Sequence, residues 1–477
     1  MKQIHFSLVI GTLVCAGLYA ATPANALSLK EAIAITVDSN PEIGQSIENR
    51  EAIEFELKQA RGLFKPSVDL DASVGVRRLD NPSRRSSGIE DDALYPAEIG
   101  ATITQKLFDG FESRAEAERQ ASRVDGASFR VYERSEYIGL EVTRQYFEII
   151  LQERVVQAAN ANVARHQSIL ADIIEGVSGG KLTEADRSQG QERLAAAKAR
   201  VVAAEQELAA AKITFNMLVA EPIGRMSMPP SLAPYMPATL DEAIGVARTN
   251  NPRIMIASAD IDAAEALVKK ARAARYPHLF LEGSARAGYD IDGANGDATD
   301  LGARVVMTWN LYDGGIASAD EQEQIRRVSE ERLKLHGAHR EVEEAVRVSW
   351  DRRFKQRELA QTYAIQATYN RQVVSAYTEQ FKVGQRSLLD VLGAQNTLFN
   401  ITVLKETAEF AAAYADYRLM ASTGQLLATM GVSPPPQSAA ETRDALGVPP
   451  TLPPDAYRRV PPPEVTPFVV PDFTLPQ

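Results

Sequence analysis

The sequence is poor in the residues that carry most catalytic and cross-linking chemistry. Its 477 residues include one cysteine (Cys15), two tryptophans and five histidines. A single cysteine cannot form an internal disulfide or a multi-cysteine metal site. No Gly-rich phosphate loop, nucleophile elbow or paired-acid site stands out, so we expect no enzyme activity, no cofactor and no metal. His336 and His339 lie three residues apart, and we interpret them as a solvated helix face.

Positive charge is also in deficit, with 52 Lys and Arg against 63 Asp and Glu and a formal net charge of −11. A nucleic-acid-binding protein needs a basic face that displaces counterions from phosphates. The charge balance and the lack of a polybasic tract therefore speak against nucleic acid as a partner.

Long apolar runs are absent beyond the N-terminus. Lys2 opens a short apolar stretch, and Ala24-Asn25-Ala26 fits the A-x-A pattern of a secretory cleavage site. We expect residues 1–26 to be a cleaved signal peptide and Leu27 to be the mature N-terminus. A membrane anchor is the alternative, but the run is shorter than the ~20 residues that span a bilayer.

The mature chain is expected to contact a membrane only through strands or an interfacial face. Val14 precedes Cys15 where a lipidation signal has a small residue, so we do not expect a lipoprotein. No stretch of about 18 apolar residues recurs after residue 26. An exported acidic chain without a membrane-spanning helix is predicted.

The chain contains an internal duplication. The segment 29–43 returns as 240–254, with an Asn-Pro step in both copies. Three further anchors follow in the same order: Leu107-Phe108-Asp109-Gly110 matches Leu311-Tyr312-Asp313-Gly314, Gly180 matches Gly384, and Asp186 matches Asp390. Such ordered self-similarity indicates two structural repeats.

Proline marks the domain boundaries. Residues 27–220 form the predicted first repeat and residues 239–432 the second, and the linker 221–238 between them holds five prolines that cannot continue a helix. The tail 433–477 holds 13 prolines in 45 residues, which predicts a disordered, extended segment without a packed core.

Each repeat has the same predicted order of elements. A short helix, with Ser28 or Thr239 as its N-cap, ends at the Asn-Pro step, and a second helix runs to Pro66 or Pro277. Two strands of about ten residues follow, in which apolar and polar residues alternate. A half-buried strand of a soluble sheet has this alternation, and so does a strand of an outer-membrane barrel, whose apolar residues face lipid.

Four strands cannot close a barrel in lipid, because the edge strands would carry unpaired backbone groups. If the strands cross a membrane, several chains must therefore share one barrel. Two, three or four copies would give eight, twelve or sixteen strands.

Two very long helices follow the strands. The ranges 113–175 and 316–381 contain no proline and have heptad-like apolar spacing, and Asp109 and Asp313 are predicted to cap them. Roughly 60 residues at about 1.5 Å each give a rod of 90 to 100 Å. Each rod is predicted to turn at a Gly-containing loop and return as a second helix to Val219 or Met430.

At this point the sequence resembles the TolC family of outer-membrane channel proteins. The resemblance covers about 27–432 and rests on the two Asn-Pro steps, the two Leu-Phe/Tyr-Asp-Gly junctions and the segment 377–400, with Val383-Gly384-Gln385-Arg386-Ser387-Leu388-Leu389-Asp390 at its centre. It implies a mostly α fold with β: a homotrimer whose four strands per protomer form a twelve-stranded β-barrel in the outer membrane, continued by a twelve-helix periplasmic α-barrel. It also implies a periplasmic adaptor and an inner-membrane transporter of the RND or ABC type, for efflux or type I secretion.

The resemblance also assigns residues. Arg386 would be the arginine of the periplasmic gate, Asp390 would face the pore, and Asp186 is the equivalent of Asp390 in the first repeat. Phe381 stands where the family often has a tyrosine, so a tyrosine-mediated hydrogen bond is not expected, and Gly393 replaces a second pore aspartate.

Residues expected to dock the adaptor lie at the two hairpin tips: Gly180, Lys181 and Leu182 in the first, and Val383, Gly384 and Gln385 in the second. Without the resemblance, Arg386 and Asp390 would be read as an ordinary solvated i, i+4 pair. A periplasmic coiled-coil scaffold or adhesin is the alternative function, but it does not account for the alternating strands.

Overall fold

The computed structural model describes residues 27–221, 226–292 and 296–451. The expected signal peptide lies outside them, as do linker residues 222–225 and tail residues 452–477. The first repeat consists of α1 (Leu29–Ser39), α2 (Pro41–Gly62), β1 (Ser67–Val74), α3 (Pro82–Ser86), β2 (Ala97–Phe108), α4 (Glu112–Ser178) and α5 (Glu184–Val219). The second consists of α6 (Leu240–Asn250), α7 (Pro252–Ala273), β3 (His278–Tyr289), β4 (Asp297–Thr308), α8 (Ile316–Lys382), α9 (Leu388–Ser422) and α10 (Leu426–Met430), and the tail adds α11 (Thr442–Ala445).

The first two helices of each repeat begin as the sequence predicts. Ser28 caps α1 through a reciprocal capping box with Glu31, and Thr239 accepts a hydrogen bond at the start of α6. At the Asn-Pro steps, Asn40 and Asn251 end one helix and cap the next with their side-chain oxygens. The duplicated step therefore places two helices end to end at a fixed angle in both repeats.

One antiparallel sheet joins the two repeats. Its order is β1-β2-β3-β4, so β2 of the first repeat pairs with β3 of the second, with Ala101 opposite Ala285. The apolar side chains of the predicted alternation are exposed, for example Leu70 at 72% and Leu301 at 86%. Within the described chain, the outer edges of β1 and β4 have no partner strand.

The helices form two long hairpins, as predicted. α4 and α8 each contain 67 residues, or about 100 Å at 1.5 Å per residue. α5 packs along α4, α9 packs along α8, and contacts between α4 and α9 join the hairpins. Ala197, Ala204 and Ala211 are buried on α5 at heptad spacing, so their small side chains let α5 approach its neighbour closely.

The largest core cluster lies where α1 and α10 pack on the middle of α4 and on the C-terminal parts of α5 and α9. The Phe147 ring of α4 makes edge contacts with Phe410 and Tyr417 of α9. The hydroxyl of Tyr146 donates to the Leu27 carbonyl at 2.8 Å and accepts from the Ser227 backbone N–H at 3.1 Å. The start of the described chain and the linker are thus fastened to α4.

The predicted caps of the long helices are shifted. The residues at the N-cap positions are Phe111 and Gly315, both with positive φ, rather than Asp109 and Asp313. The aspartates still bind the first turn, because Asp109 accepts from the Ser113 N–H at 3.0 Å and Asp313 from the Ala317 N–H at 2.7 Å. In each repeat the left-handed residue that follows the aspartate, Phe111 or Gly315, turns the chain so that the carboxylate lies over the start of the helix.

Two further predictions about the second repeat need correction. Its returning helix does not run unbroken to Met430, because Gly424 adopts φ 74° and separates α9 from α10. A Cβ on Gly424 would lie 2.6 Å from the Asn250 carbonyl oxygen, so the break makes room for the end of α6. His339 is buried at 2% exposure and is not part of a solvated face, since it lies on the side of α8 that carries Leu335 and Val342.

The proline-rich tail is packed over residues 433–451, which we call the tail strap. Arg443 is buried and pairs with Asp125 of α4, at 2.9 Å from Nε to Oδ2, and with Asp262 of α7. Thr451 donates to Asp262 through its backbone N–H and its hydroxyl. The expectation of a segment without a packed core is therefore wrong for these residues, because the prolines flank a buried ionic centre.

Candidate functional site

The ends of the two hairpins lie about 100 Å along the helices from the sheet. Both turns are built alike, with Gly180 at φ 74° and Gly384 at φ 75°. Only a residue without a Cβ adopts this left-handed conformation without strain. The equivalence of the two glycines, predicted from the repeat, thus has a common backbone cause.

Asp186 and Asp390 occupy the same position in the first turn of α5 and α9. Asp186 accepts from the Thr183 backbone N–H at 2.8 Å and from its hydroxyl at 2.7 Å. Asp390 accepts from the Ser387 hydroxyl at 2.8 Å, and Ser387 accepts in turn from the Asp390 N–H at 3.2 Å. The hydrogen bonds from Thr183 lower the pKa of Asp186. Both carboxylates therefore help to begin the returning helices.

Arg386 is held by the end of α8. Its Nε donates to Gln380 Oε1 at 3.1 Å, and its guanidinium lies 4.1 Å from the centre of the Tyr377 ring. The distance from its Nη1 to Asp390 Oδ2 is 3.8 Å, the length of a loose ion pair. The hydrogen bond to Gln380 and the cation–π contact with Tyr377 thus hold the Arg386 side chain against the end of α8, and the ion pair with Asp390 is loose.

Tyr377 and Gln380 are site residues that the sequence analysis did not assign. Both lie within the last two turns of α8, one helical turn or less from Phe381. In the sequence, the only indication of this role was that an aromatic residue and an amide residue lie near the end of α8, shortly before the predicted arginine. Phe381 itself is partly buried and packs with Tyr377 against a cluster of Ile169, Ile173, Leu388, Val391 and Leu392.

The predicted tip residues fall into two groups. Gly180, Lys181, Val383, Gly384 and Gln385 are exposed on the turns. Leu182 is half-buried, because its side chain packs over Gly176 and joins the apolar cluster of Ile169 and Ile173. Across the described residues, Arg386 meets Asp390 within its own hairpin, and no ion pair or hydrogen bond joins either of them to Asp186 of the other hairpin.

At the opposite end, aromatic side chains collect where the strands meet the helices. Trp309 and Tyr312 are exposed after β4, and Phe111 is exposed after β2. The Trp309 indole donates to the Arg275 carbonyl at 3.2 Å, so the ring is held at this junction. Tyr95 and Tyr289 are exposed at the other end of the strands.

None of the described helices combines the length and the apolar character needed to cross a membrane. Over the same residues, His, Cys, Asp and Glu side chains nowhere gather in a group of three that could bind a metal ion.

Comparisons with known proteins point to one family. A family model described as outer membrane efflux protein matches residues 33–220 and 243–425, one stretch in each repeat. The chain is 26% identical over 379 residues to the outer membrane efflux protein BepC of Brucella suis, which covers 77% of this chain and 79% of that protein. It is 21% identical over 385 residues to the alkaline protease secretion protein AprF of Pseudomonas aeruginosa, covering 79% and 80%.

A solved structure shares the fold. The outer membrane protein VceC of Vibrio cholerae superimposes with a TM-score of 0.69 at 17% identity, over 83% of this chain and 96% of that one. The two-repeat arrangement of strands and long hairpins is therefore common to the present chain and to an outer-membrane protein.

Proposed function

From the premise that the chain belongs to the outer membrane efflux protein family, we propose that it is the exit duct of a tripartite efflux pump or a type I secretion system. The duct is passive: a barrel of strands crosses the outer membrane, and the long helices continue it into the periplasm as a tunnel closed at the hairpin tips. The family is one of transport channels, in keeping with the expectation that the protein is not an enzyme.

This proposal depends on one observation: both the sheet and the row of long helices end in elements that have no neighbouring strand or long helix on one side within the described chain. In the sheet, β1 and β4 are edge strands without partners in the described chain. Among the four long helices, α4 contacts both α5 and α9, and α9 contacts α8, which leaves α5 and α8 as the outer members of the row. A wall with matching free edges closes only by joining further copies.

Three copies are the proposed number, so the ring would contain twelve strands and twelve long helices (3 × 4 of each). Exposed apolar side chains are available for contacts between neighbouring protomers: Val202, Ile213 and Met217 on α5, and Ile365 and Tyr369 on α8. A homotrimer would bury these residues between neighbouring protomers.

Outer-membrane lipid is the proposed environment of the sheet. The exposed residues Val68, Leu70, Leu301 and Val305 share the apolar sides of their strands, as lipid-facing residues of a barrel do. The exposed aromatic residues at both strand ends fit the two interfacial girdles of such a barrel. Export by a signal peptide at residues 1–26, without lipidation, is part of the same proposal.

The hairpin tips are the proposed gate and docking site. Arg386 and Asp390 would line the closed end, and Asp186 and Phe381 would stand beside them. The exposed turn residues Gly180, Lys181, Val383, Gly384 and Gln385, with Leu182 behind them, would contact a periplasmic adaptor, which in turn joins an inner-membrane transporter of the RND or ABC type.

Conductance in a planar bilayer tests the proposal. The purified protein should migrate as a heat-modifiable trimer and form a narrow, mostly closed conductance. Arg386→Ser should raise that conductance, because it removes the hydrogen bond to Gln380 and the contact with Tyr377. Arg371→Ser, a change at an exposed arginine elsewhere on α8, serves as the control.

A lone monomer that partitions with soluble periplasmic proteins would contradict the duct and favour a coiled-coil scaffold. A trimer whose conductance is the same with Arg386→Ser would retain the duct but remove the gate at Arg386.

A further inference from the structure

A buried amide pair lies between the two hairpins. Asn162 of α4 is 3% exposed and Gln395 of α9 is 5% exposed. Gln395 Nε2 donates to Asn162 Oδ1 at 3.2 Å, and this hydrogen bond links the first repeat to the second. Neither residue belongs to the tip residues discussed above.

The pair is only half satisfied. Asn162 Nδ2 and Gln395 Oε1 are both buried without a hydrogen-bond partner. Exchanging the oxygen and nitrogen of both amides would keep one bond and still leave one amide nitrogen and one amide oxygen unpaired. His166, one turn further along α4, also buries an Nδ1 without a partner. Unpaired buried groups destabilise the packing that encloses them.

Apolar layers separate this pair from the tip. Ile169 and Ile173 of α4 pack with Leu388, Val391 and Leu392 of α9. Ile169 lies about two helical turns beyond Asn162, and Leu392 lies about one turn from Gln395. Water can therefore reach the amides from the tip only if the contact between α4 and α9 parts.

We propose that Asn162 and Gln395 set the balance between closed and open tips, because they remain partly unpaired when α4 and α9 are in contact and become hydrated when the two helices separate. This inference rests on the proposed function as a gated duct and adds two positioning residues to it. Polar groups that gain partners only in the open state shift the equilibrium toward that state.

The test compares the loss of one amide with the loss of both, because only the first leaves a buried amide without a partner. Gln395→Leu removes one partner and leaves the Asn162 amide wholly unpaired, so the open fraction should rise about tenfold. Asn162→Leu with Gln395→Leu removes both polar groups and makes the contact apolar throughout, so the open fraction should fall about tenfold below that of the wild type. A merely structural role would change the free energy of unfolding of these variants and leave the open fraction unchanged.

Two readouts follow the same variants. The first is single-channel conductance of the trimer in a planar bilayer. The second is the rate of maleimide labelling of Ile169→Cys, the only thiol in a mature chain that begins at Leu27, which reports exposure of the α4–α9 contact without relying on conductance. Asn160→Leu with Asn400→Leu, at exposed amides on the same two helices, is the control.

Opposite shifts of the single and double variants in both readouts would support the inference. A conducting wild type whose single and double variants conduct and label at unchanged rates would overturn it and leave the proposed function standing. A wild type that forms no conductance would overturn the proposed function and this inference together.

Discussion

Removing the charge of Arg443 should destabilise the protein more than any change at an exposed arginine. Arg443 is buried in the tail strap between Asp125 of α4 and Asp262 of α7, which are themselves buried. Arg443→Met keeps much of the side-chain volume but leaves two enclosed carboxylates without a cation. Breaking a buried ion pair from one side reduces the free energy of unfolding by about 3–5 kcal/mol.

The residual hydrogen bonds bound that loss. Asp125 would still accept from the backbone N–H groups of Thr442 and Arg443, at 2.9 and 3.1 Å, and Asp262 from Thr451. These bonds stabilise each carboxylate but do not neutralise it, so we expect the lower part of the range. Guanidinium unfolding of the purified protein, followed by circular dichroism, measures the difference.

Arg371→Met is the matched control, because Arg371 is exposed on α8 and its loss should change the free energy of unfolding by less than about 0.5 kcal/mol. A second comparison uses truncation. A chain that ends after Val432 lacks the tail strap and should be destabilised at least as much as Arg443→Met. Equal stability of Arg443→Met and Arg371→Met would refute the reasoning.

Two further predictions concern α4 and the junction between β2 and α4. Glu136 accepts from the Leu426 and Leu427 N–H groups at 3.0 Å, and burial raises its pKa from 4.5 to about 7. Between these two pKa values the folded state binds a proton that the unfolded state releases, so the free energy of unfolding should fall as pH rises from about 4.5 to 7. Glu136→Gln removes the titrating group and should flatten this slope, which urea titrations at several pH values measure. An unchanged slope would refute the assignment of this pH dependence to Glu136. Gly110 has φ 63°, and Gly110→Ala would place a Cβ 2.7 Å from the Ala273 carbonyl oxygen, so this variant should have a lower thermal unfolding midpoint. The control is Gly245→Ala in α6, where the new Cβ meets open space and the midpoint should stay the same or rise. Equal midpoints for Gly110→Ala and the wild type would show that the junction relaxes.

The regular parts of the fold could be predicted because their signals are local. An Asn-Pro step fixes both the end of one helix and the cap of the next, and Asn40 and Asn251 do this in the structure. Two-residue alternation placed all four strands, and long proline-free heptads placed α4 and α8 to within a few residues. The comparisons confirm the family that these patterns indicated.

The features that were missed depend on contacts between distant residues. The tail looked extended because proline dominates its composition, yet Arg443 meets partners more than 180 residues away in sequence. The break at Gly424 exists because α6 approaches there, and the burial of His339 follows from the helix face it shares with Leu335. The contact of Tyr377 with Arg386 required the loop geometry between them.

The similarity of the two turns has a consequence for stoichiometry. A closed ring of three protomers would have pseudo-sixfold symmetry, with six hairpin ends that share the same glycine conformation. The turns differ in chemistry, since Lys181 stands in one and Gln385 in the other. A periplasmic protein that reads only the shared backbone would saturate at six copies per ring, and one that needs the lysine charge would saturate at three; native mass spectrometry of the assembled complex distinguishes the two ratios.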